Sequence, residues 1–344
     1  MESLGNVNIV KSYTQKNLKH TIYGLGSGKV EEIKEFLLHA KSDQIIVDEH
    51  MTPKQIYNLE KATGIKVVDR ERLILDLFYI RSTTNEAKLQ IQLAEIKYEL
   101  PRIKENAKLL LGNERPGKGG RGEYVVDVKF RDMKRRMGFI IEKIEESRKK
   151  RDLYHNQRLE NKMPIVSLVG YTSSGKTTLF NLLTMESRKT SEELFTTLST
   201  TTRSFIINGQ KILLSDTVGF IRRLPTYMIE AFKSTLEESL QADIILLLID
   251  SSDPVDKLRI KYYSCMNVLQ ELNVNKEKIV TVFSKIDKAD FDDVTRTFNE
   301  LKIEHPIILS PKSGYGINKL RIAISQKIAN RLKSDWKDTE SILV

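Results

Sequence analysis

An apolar strand followed by a glycine-bounded loop constrains the fold of this chain more than any other feature. The run Ile165–Val169 is followed by Gly170-Tyr-Thr-Ser-Ser-Gly-Lys-Thr177, which matches GxxxxGK[ST] in full. The next residues, TTLFNLLT, have the pattern of an amphipathic helix. The glycines permit a tight turn whose backbone N–H groups face a β-phosphate, and the helix N-terminus adds a favourable dipole. This segment predicts an α/β domain built around a phosphate-binding loop.

The loop also predicts the individual phosphate contacts. We expect Lys176 to reach the β- and γ-phosphates and the Thr177 hydroxyl to bind Mg²⁺. The residues predicted to surround the phosphates are Gly170, Tyr171, Thr172, Ser173, Ser174, Gly175, Lys176, Thr177 and Thr178.

A second phosphate-sensing segment follows. The apolar run Ile212–Leu214 leads into Ser215 and the DxxG sequence Asp216-Thr-Val-Gly219. We expect Asp216 to hold Mg²⁺ through a water molecule and the Gly219 N–H to meet the γ-phosphate. Lys176 and Gly219 are therefore the predicted catalytic groups.

Between these two segments lies a hydroxyl-rich stretch, Phe195-TTLSTTTR, which is typical of a mobile switch. Phe195, Thr196 and Thr197 are predicted to approach the nucleotide. We expect Thr197 to complete the Mg²⁺ shell, with Thr196 as the alternative. The predicted metal ligands are Thr177, Thr197 and Asp216.

The segment after the strand Ile279–Phe283 predicts which base is bound. It reads Ser284-Lys-Ile-Asp287, and a carboxylate at 287 can accept hydrogen bonds from both N1–H and the 2-amino group of guanine. Adenine does not present these two donors together, so it would leave the carboxylate without its hydrogen bonds. We expect the Lys285 stem to cover the base. Backbone N–H groups of the turn Ser310-Pro311-Lys312 are expected to reach the guanine O6.

The N-terminal part, residues 1–68, predicts a small α/β domain with a parallel sheet. Strands are expected over Val7–Tyr13, Thr21–Gly24, Gln44–Glu49 and Lys66–Asp69. Helices are expected over Lys29–Ala40 and Thr52–Thr63, which have helical apolar spacing and, in the second case, a Thr-Pro start. The sequence Gly24-Leu-Gly-Ser-Gly28 favours a tight turn and helix start over a second nucleotide site.

Residues 69–161 predict a long antiparallel helical hairpin. Each predicted helix carries a single apolar seam with steps of three and four residues, and two such helices joined by one loop should pack together. The seam residues are Leu89, Leu93, Ile96, Leu100 and Ile103 on the first helix and Phe130, Met133, Met137, Ile140 and Ile144 on the second. Pro101 predicts a kink or break in the first helix. The glycine-rich basic loop 112–124 is interpreted either as a tip that inserts into a phosphate-rich site or as a disordered connector.

Charge is concentrated in this middle part. Residues 101–162 carry 18 Lys and Arg against 10 Asp and Glu, whereas residues 163–344 carry 24 against 22. Such a local excess attracts nucleic acid, although a solvated helix face rich in Lys and Glu is equally consistent with it. The G domain is predicted over 162–332, followed by a tail over 333–344 without a structural signal.

Cysteine content and the distribution of apolar residues indicate the compartment of the protein. The chain has one cysteine, no basic-then-apolar leader at its start and no apolar run near the roughly 20 residues that span a bilayer. We therefore expect a cytoplasmic protein without a membrane span.

At this level of detail the chain resembles the HflX family of ribosome-associated GTPases. The G-domain residues that carry the resemblance are Gly170–Asn181, Leu194–Arg203, Ser215–Pro225, the SKID sequence and Ser310–Gly314. The N-terminal ones are Val67–Ser82, Lys88–Ile103, the glycine-rich loop and Arg131–Met137. The resemblance implies a small α/β domain, a helical hairpin and a Ras-like P-loop G domain. It also implies binding of GTP and GDP with Mg²⁺, GTP hydrolysis, and binding of a monomer to the large ribosomal subunit and its rRNA. RNA contacts are expected from Arg115, Lys118, Arg121 and Lys134–Arg136.

Two positions depart from related GTPase patterns. Ser284 stands where NKxD has Asn, so we expect weaker nucleotide binding with the guanine preference kept by Asp287. Phe220 follows the DxxG glycine, where Ras-type proteins have a water-orienting Gln, so slow intrinsic hydrolysis is expected. Arg203, Arg222 and Arg223 are candidates for transition-state charge, with surface contact to RNA as the alternative.

Two other functions are disfavoured by particular residues. A P-loop ATPase or kinase is disfavoured by Asp287, and a scaffold with a vestigial nucleotide site is disfavoured by the joint presence of Lys176, Thr177, Asp216 and Gly219. An RNA-binding or ribosome-assembly scaffold and a stress-signalling GTPase with a protein partner remain the alternatives to a ribosome-binding factor.

Overall fold

The computed structural model describes residues 8–15, 22–82, 84–111, 121–160, 163–186, 201–216, 219, 227–228 and 242–342. The chain divides into two compact units, Met1–Ser147 and Arg148–Val344. The predicted α/β fold class is confirmed, with a small parallel α/β part, a helical hairpin and a P-loop domain.

The first unit begins with a β–α–β arrangement. Helix α1 spans Ser27–His39, strand β1 spans Gln44–Val47, helix α2 spans Pro53–Thr63 and strand β2 spans Lys66–Asp69. The two strands pair in parallel, with Gln44 opposite Lys66. Helix α2 begins where Thr52 and Gln55 cap each other reciprocally and Pro53 takes the first helical position. The predicted parallel sheet of this part is therefore confirmed.

The two earliest predicted strands are wrong in their described residues. Residues 8–13 contain no strand, and residues 22 and 23 form a turn. Side chains hold this segment on α1 instead: the Tyr13 hydroxyl donates to the Glu32 carbonyl at 3.3 Å, and Lys11 Nζ lies 4.8 Å from the Phe36 ring centroid. The Gly26 N–H at the start of α1 is bound by the Gln15 side chain at 3.1 Å, which supports the interpretation of Gly24–Gly28 as a helix start.

A buried carboxylate connects this α/β part to the helices that follow. Helix α3 spans Arg70–Arg81 and begins at Asp69, whose carboxylate accepts from the Arg72 N–H at 2.9 Å. Asp69 is fully buried, and it also accepts from the Tyr98 hydroxyl at 2.8 Å and from Arg102 at 2.9 Å. Its charge is thus paired and hydrogen-bonded inside the unit, as burial of a carboxylate requires.

The helical hairpin consists of α4, Asn85–Leu111, and α5, Arg121–Glu160. Helix α4 continues through Pro101, so the predicted break there is not observed. Instead, Arg102 anchors the helix on the α/β part through Asp69 and lies 3.4 Å from the Met51 carbonyl oxygen. Residues 121–124 of the predicted loop are helical, and residues 112–120, with Arg115 and Lys118, lie outside the described part.

The hairpin core follows the predicted seam. Leu93, Ile96 and Ile140 are buried together, and five further seam residues pack against them: Leu89, Leu100, Met133, Met137 and Ile144. Ile103 and Phe130, at the ends of the predicted seams, are not part of this cluster.

The second unit contains a mixed six-stranded sheet in the order β4-β5-β3-β6-β7-β8. Its strands are β3 Ile165–Gly170, β4 Thr201–Ile207, β5 Gln210–Asp216, β6 Ile244–Asp250, β7 Ile279–Ser284 and β8 Ile307–Ile308. Helices of this unit within the described residues include α6 Lys176–Thr184, α7 Val255–Glu271, α8 Phe291–Glu300 and α9 Ile317–Ile342. Helix α9 extends through residues 333–342, where the sequence shows no clear periodicity.

Among the described strands of this sheet, β4 and β5 pair antiparallel and the other pairs are parallel. Parallel strands bring their carboxyl ends to one edge of the sheet, which is where α/β proteins bind ligands. That edge carries Gly170, Asp216, Asp250 and Ser284 at the ends of β3, β5, β6 and β7. Among the described residues, no helix is both long and apolar enough to cross a membrane.

Candidate nucleotide site

The loop after β3 takes a conformation that only glycine permits at its first position. Gly170 has a φ of +155°, and a Cβ there would lie 2.3 Å from the Leu248 carbonyl oxygen and 2.9 Å from Ser174 Oγ. The loop then turns through the Ser174 N–H, which donates to the Tyr171 carbonyl at 3.2 Å. Helix α6 starts directly afterwards, so its N-terminal N–H groups face the space that the loop encloses.

Lys176 lies inside this loop. Its Nζ donates to the carbonyl oxygens of Tyr171 at 2.8 Å and Gly170 at 3.1 Å. Burial lowers the pKa of Lys176 to about 8, against the opposing effect of the nearby Asp216 carboxylate. The ammonium is thus held by weak backbone acceptors, which phosphate oxygens can replace with stronger charge-assisted hydrogen bonds.

Thr177 and Asp216 come together at the ends of α6 and β5. The Thr177 hydroxyl donates to Asp216 Oδ2 at 3.0 Å, and the Asp216 side chain is fully buried. Their oxygens form a hard, compact donor pair of the kind that Mg²⁺ prefers. Thr197, the third predicted ligand, lies outside the described residues, as do Phe195, Thr196, Phe220, Arg222 and Arg223.

Gly219 packs directly on the loop. A Cβ at this position would lie 3.0 Å from Lys176 Nζ and 3.0 Å from the Thr172 Cα, so no larger residue fits without displacement. The structure therefore places the two predicted catalytic residues, Lys176 and Gly219, close together. Arg203 is placed elsewhere: it pairs with Glu186 and lies opposite Leu214, two residues before Asp216 on β5.

Ser284, at the end of β7, binds the phosphate loop. Its buried hydroxyl lies 2.6 Å from the Ser174 carbonyl oxygen and 3.1 Å from that of Ile249. Because a hydroxyl has one proton, the shorter contact to Ser174 is the stronger hydrogen bond. The serine at the unusual position thus still fastens the loop.

Lys285 follows in the left-handed region, with a φ of +57°. Its Nζ lies 2.7 Å from Asp250 Oδ2. The other Asp250 oxygen accepts from the Ser252 N–H at 3.0 Å and from the Ser252 hydroxyl at 2.6 Å. Asp250 is therefore itself held, and it orients the lysine stem at the sheet edge.

The Asp287 carboxylate is exposed and held from one side. The buried Ser310 hydroxyl donates to Asp287 Oδ1, and this hydrogen bond lowers the pKa of Asp287. The turn after β8 is closed by the Gly314 N–H, which donates to the Ser310 carbonyl at 2.9 Å. Pro311 is buried in this turn and Lys312 is exposed. The structure thus brings the two predicted base-binding segments together around an ionised carboxylate.

Three neighbours of this site are not among the residues predicted from the sequence. Asp250 is a polar residue directly after the fully apolar run of β6, at the ligand edge of the sheet, and that position was a usable signal. Lys261 Nζ lies 5.0 Å from the Tyr171 ring centroid. Cys265 on α7 is fully buried near Lys176, and burial raises the pKa of its thiol to about 12, so it is neutral. Neither Lys261 nor Cys265 carried a local pattern.

Comparisons with known proteins agree with this geometry. Residues 2–79 match the family described as "GTP-binding GTPase N-terminal", residues 81–158 match "GTP-binding GTPase Middle Region" and residues 165–285 match "50S ribosome-binding GTPase". These three segments together span most of the chain.

Relatives and solved structures extend the likeness. The chain is 41% identical to "GTPase HflX" of Methanocaldococcus jannaschii, over 90% of this chain and 77% of the relative. It is 40% identical to "GTPase HflX" of Thermococcus kodakarensis, over 86% of this chain and 67% of the relative. It also resembles a crystal structure of SsGBP with GDP, at 28% identity and a TM-score of 0.51, over 90% of this chain and 88% of that one. The chain belongs to the HflX family of GTPases, and it binds and hydrolyses GTP.

Proposed function

We propose that this chain is a GTP-driven factor that binds the large ribosomal subunit and its rRNA. The observation that supports the nucleotide part most is the convergence of Lys176, the Thr177–Asp216 pair and the Asp287–Ser310 pair at one sheet edge. The ribosomal part is supported by the description of the family that residues 165–285 match, "50S ribosome-binding GTPase".

In this proposal the phosphates are bound by the loop after β3 and by two switch segments. The residues assigned to phosphate and switch contacts are Gly170, Tyr171, Thr172, Ser173, Ser174, Gly175, Lys176, Thr177, Thr178, Phe195, Thr196, Thr197, Asp216 and Gly219. The base is assigned to Ser284, Lys285, Asp287 and the turn Ser310-Pro311-Lys312. A guanine that donates two hydrogen bonds to the lowered-pKa carboxylate of Asp287 would satisfy it, whereas adenine would not.

Mg²⁺ is assigned to the oxygens of Thr177 and Asp216, with Thr197 as the third protein ligand. The Thr177 hydroxyl and the Asp216 carboxylate lie 3.0 Å apart and provide the oxygen donors that this ion prefers. When bound, the ion would be held by the Thr177 and Asp216 oxygens and would supply positive charge that offsets the charge developing during phosphoryl transfer.

The chemical step proposed is in-line attack of water on the γ-phosphorus. A new P–O bond forms as the bond from phosphorus to the β–γ bridging oxygen breaks, and GDP, inorganic phosphate and the proton lost by water are released. Lys176 gives up its contacts with the Gly170 and Tyr171 carbonyls and donates to phosphate oxygens, where its charge offsets that of the transition state. The Gly219 N–H, held against Thr172, donates to the γ-phosphate. No glutamine follows Gly219, so we expect slow intrinsic turnover and a water molecule oriented by another group or by the ribosome.

We further propose three functional parts: an α/β domain over 1–68, the hairpin over 69–161 with its loop 112–124, and the G domain over 162–332 with a tail over 333–344. The first two parts contact the ribosome in this proposal, which is supported by the excess of 18 basic over 10 acidic residues in 101–162. We propose that the protein acts in the cytoplasm as a monomer.

Co-sedimentation with isolated large subunits tests this function. We expect the protein to pellet with 50S-type subunits in a non-hydrolysable GTP analogue and to remain in the supernatant with GDP. Lys176→Ala should abolish both the turnover and the nucleotide dependence. Subunit binding that is equal with the GTP analogue and with GDP would favour the scaffold alternative. The absence of subunit binding, with turnover intact, would favour the stress-signalling alternative.

A further inference from the structure

The outward face of α5 carries a row of three cations and one aromatic ring. Arg131, Arg135, Phe139 and Lys143 are spaced four residues apart, so they lie on one i,i+4 ridge of the helix. All four side chains are exposed, and Phe139 retains 56% of its accessible surface. We call these four residues the cationic ridge.

The cations of the ridge have no acidic partner among the residues that the structure describes. Within the described part of the chain, no carboxylate oxygen lies within ion-pair distance of Arg131, Arg135 or Lys143, although Asp132 and Glu142 are neighbours in sequence. Arg131 Nε donates to the Asp127 backbone carbonyl at 3.3 Å, which leaves its charge unpaired. Residues 129–136 hold five cations and one carboxylate, so the field around the ridge is positive.

Phe139 is not required for the hairpin core. The apolar face of α5 that packs against α4 consists of Met133, Met137, Ile140 and Ile144, which lie on the opposite side of the helix. Phe139 instead lies one turn from a cation on either side along the ridge, and Lys143 Nζ is 4.5 Å from its ring centroid. An exposed ring between cations offers a stacking surface beside phosphate-binding groups.

Exposed cations beside an exposed aromatic ring favour one class of anionic partner over the others. A bilayer surface needs a continuous apolar helix face, and that face of α5 is already buried in the hairpin. Duplex RNA keeps its bases stacked and is bound through phosphates and 2′-hydroxyls, so its bases are not available to stack on an aromatic side chain. An unpaired nucleotide presents both a free base and a phosphate.

We propose that the cationic ridge binds an unpaired RNA nucleotide, whose base stacks on Phe139 and whose flanking phosphates contact Arg135 and Lys143. This rests on the proposed ribosomal function, to which it adds the mode of contact: single-stranded RNA on the side of α5, separate from the loop 112–124. It predicts that affinity depends on the ring at 139 and salt sensitivity on the cations.

Fluorescence anisotropy of the full-length protein with a labelled rA12 oligonucleotide, in the presence of GDP, tests the proposal. Phe139→Ala should weaken binding about 5- to 100-fold, which is the range for loss of one stacked base, and leave the salt slope unchanged. Phe139→Tyr should restore affinity. Arg135→Gln should reduce the slope of log K against log salt by about 0.7. Ile141→Ala is the matched control, because Ile141 is also exposed on α5, at 46%, but lies off the ridge.

Three results would overturn the proposal. One is equal affinity of Phe139→Ala and the parent for rA12. Another is the same loss on a 12-base-pair RNA duplex. The third is tighter, Phe139-dependent binding to vesicles with one-third phosphatidylserine or to poly-glutamate than to rA12. Subunit co-sedimentation of the parent protein is scored separately. If the parent protein does not co-sediment with the subunit but still binds rA12 in a Phe139-dependent manner, the ribosomal function is wrong. RNA binding by the cationic ridge is then still supported.

Discussion

The Ser284 hydroxyl lies 2.6 Å from the carbonyl oxygen of Ser174, and this contact joins the strand that leads to the base site to the loop that holds the phosphates. Both side chains are buried, and the residues are 110 positions apart in the chain. Ser284 also sets the position of Lys285, the next residue. The two halves of the nucleotide site are therefore fastened at one hydrogen bond.

Removing that bond should weaken nucleotide binding. In Ser284→Ala the Ser174 carbonyl loses its buried partner, which costs about 1–2 kcal/mol and corresponds to roughly 5- to 30-fold in the GDP dissociation constant. Titration of a fluorescent GDP analogue measures the change. Ser204→Ala, an exposed serine on β4, is the control. An unchanged GDP affinity in Ser284→Ala would show that the loop does not need this hydrogen bond.

The ion pair between Lys285 and Asp250 predicts a second effect on the base site. Asp250→Ala removes the carboxylate 2.7 Å from Lys285 Nζ and leaves the lysine stem without its positioning contact. We expect faster release of GDP, by about 3- to 10-fold, with association little changed, because the bound state loses order. Stopped-flow release measures this. Asp256→Ala, which removes a nearby exposed carboxylate at the start of α7, should leave the release rate near that of the parent.

Lys176 predicts a pH dependence of stability in the nucleotide-free protein. Burial lowers its pKa from 10.5 to about 8, so between these values the unfolded chain binds more protons at this site than the folded chain. The contribution of Lys176 to the free energy of unfolding should therefore rise with pH from about 8 to 10.5, by about 1–3 kcal/mol. Urea unfolding of the parent and of Lys176→Met across this range isolates the contribution as their difference. A difference that stays constant or falls with pH would contradict the burial of this amine.

The buried Asp69 predicts the largest single effect on the N-terminal unit. Arg102→Met removes the cation 2.9 Å from Asp69 Oδ2 and leaves a fully buried carboxylate without its charged partner. We expect a loss of about 3–5 kcal/mol in the stability of this unit. The double variant Arg102→Met with Asp69→Asn should recover part of it. Thermal unfolding measures both, and a loss below about 1 kcal/mol in the single variant would exclude a supporting role for the pair.

Much of the fold follows from local patterns in the sequence. The strand before Gly170 and the helix after Lys176 are each specified by a continuous run of residues, and the hairpin seam repeats over several turns. The strand predicted over Val7–Tyr13 is wrong in its described residues. An apolar segment can be held by side-chain contacts with a helix, here α1, as well as by pairing in a sheet. The break that Pro101 allowed is absent, and Arg102, the next residue of the continuous helix, is anchored by its hydrogen bond to Asp69.

The site was predictable in its motifs and not in its internal bonds. Lys176, Thr177, Asp216 and Asp287 stand in recognisable sequences. Their partners depend on contacts between distant segments, such as Ser310 with Asp287 or Asp250 with Lys285, which no local spacing encodes. The effect of serine at 284 likewise depends on how near it lies to Ser174, which only the folded chain determines.

Competition calorimetry with guanine and adenine nucleotides measures whether Asp287 selects the base. The parent should bind GDP and GTP with Mg²⁺ and show at least about 100-fold weaker binding of ADP and ATP, because adenine leaves the carboxylate held by Ser310 without its two donors. Asp287→Ala should reduce guanine-nucleotide affinity to the level of adenine nucleotides. Asp292→Ala, a nearby exposed carboxylate on α8, should not. Equal heats with guanine and adenine nucleotides in the parent, or an Asp287→Ala variant that keeps its guanine preference, would contradict the account.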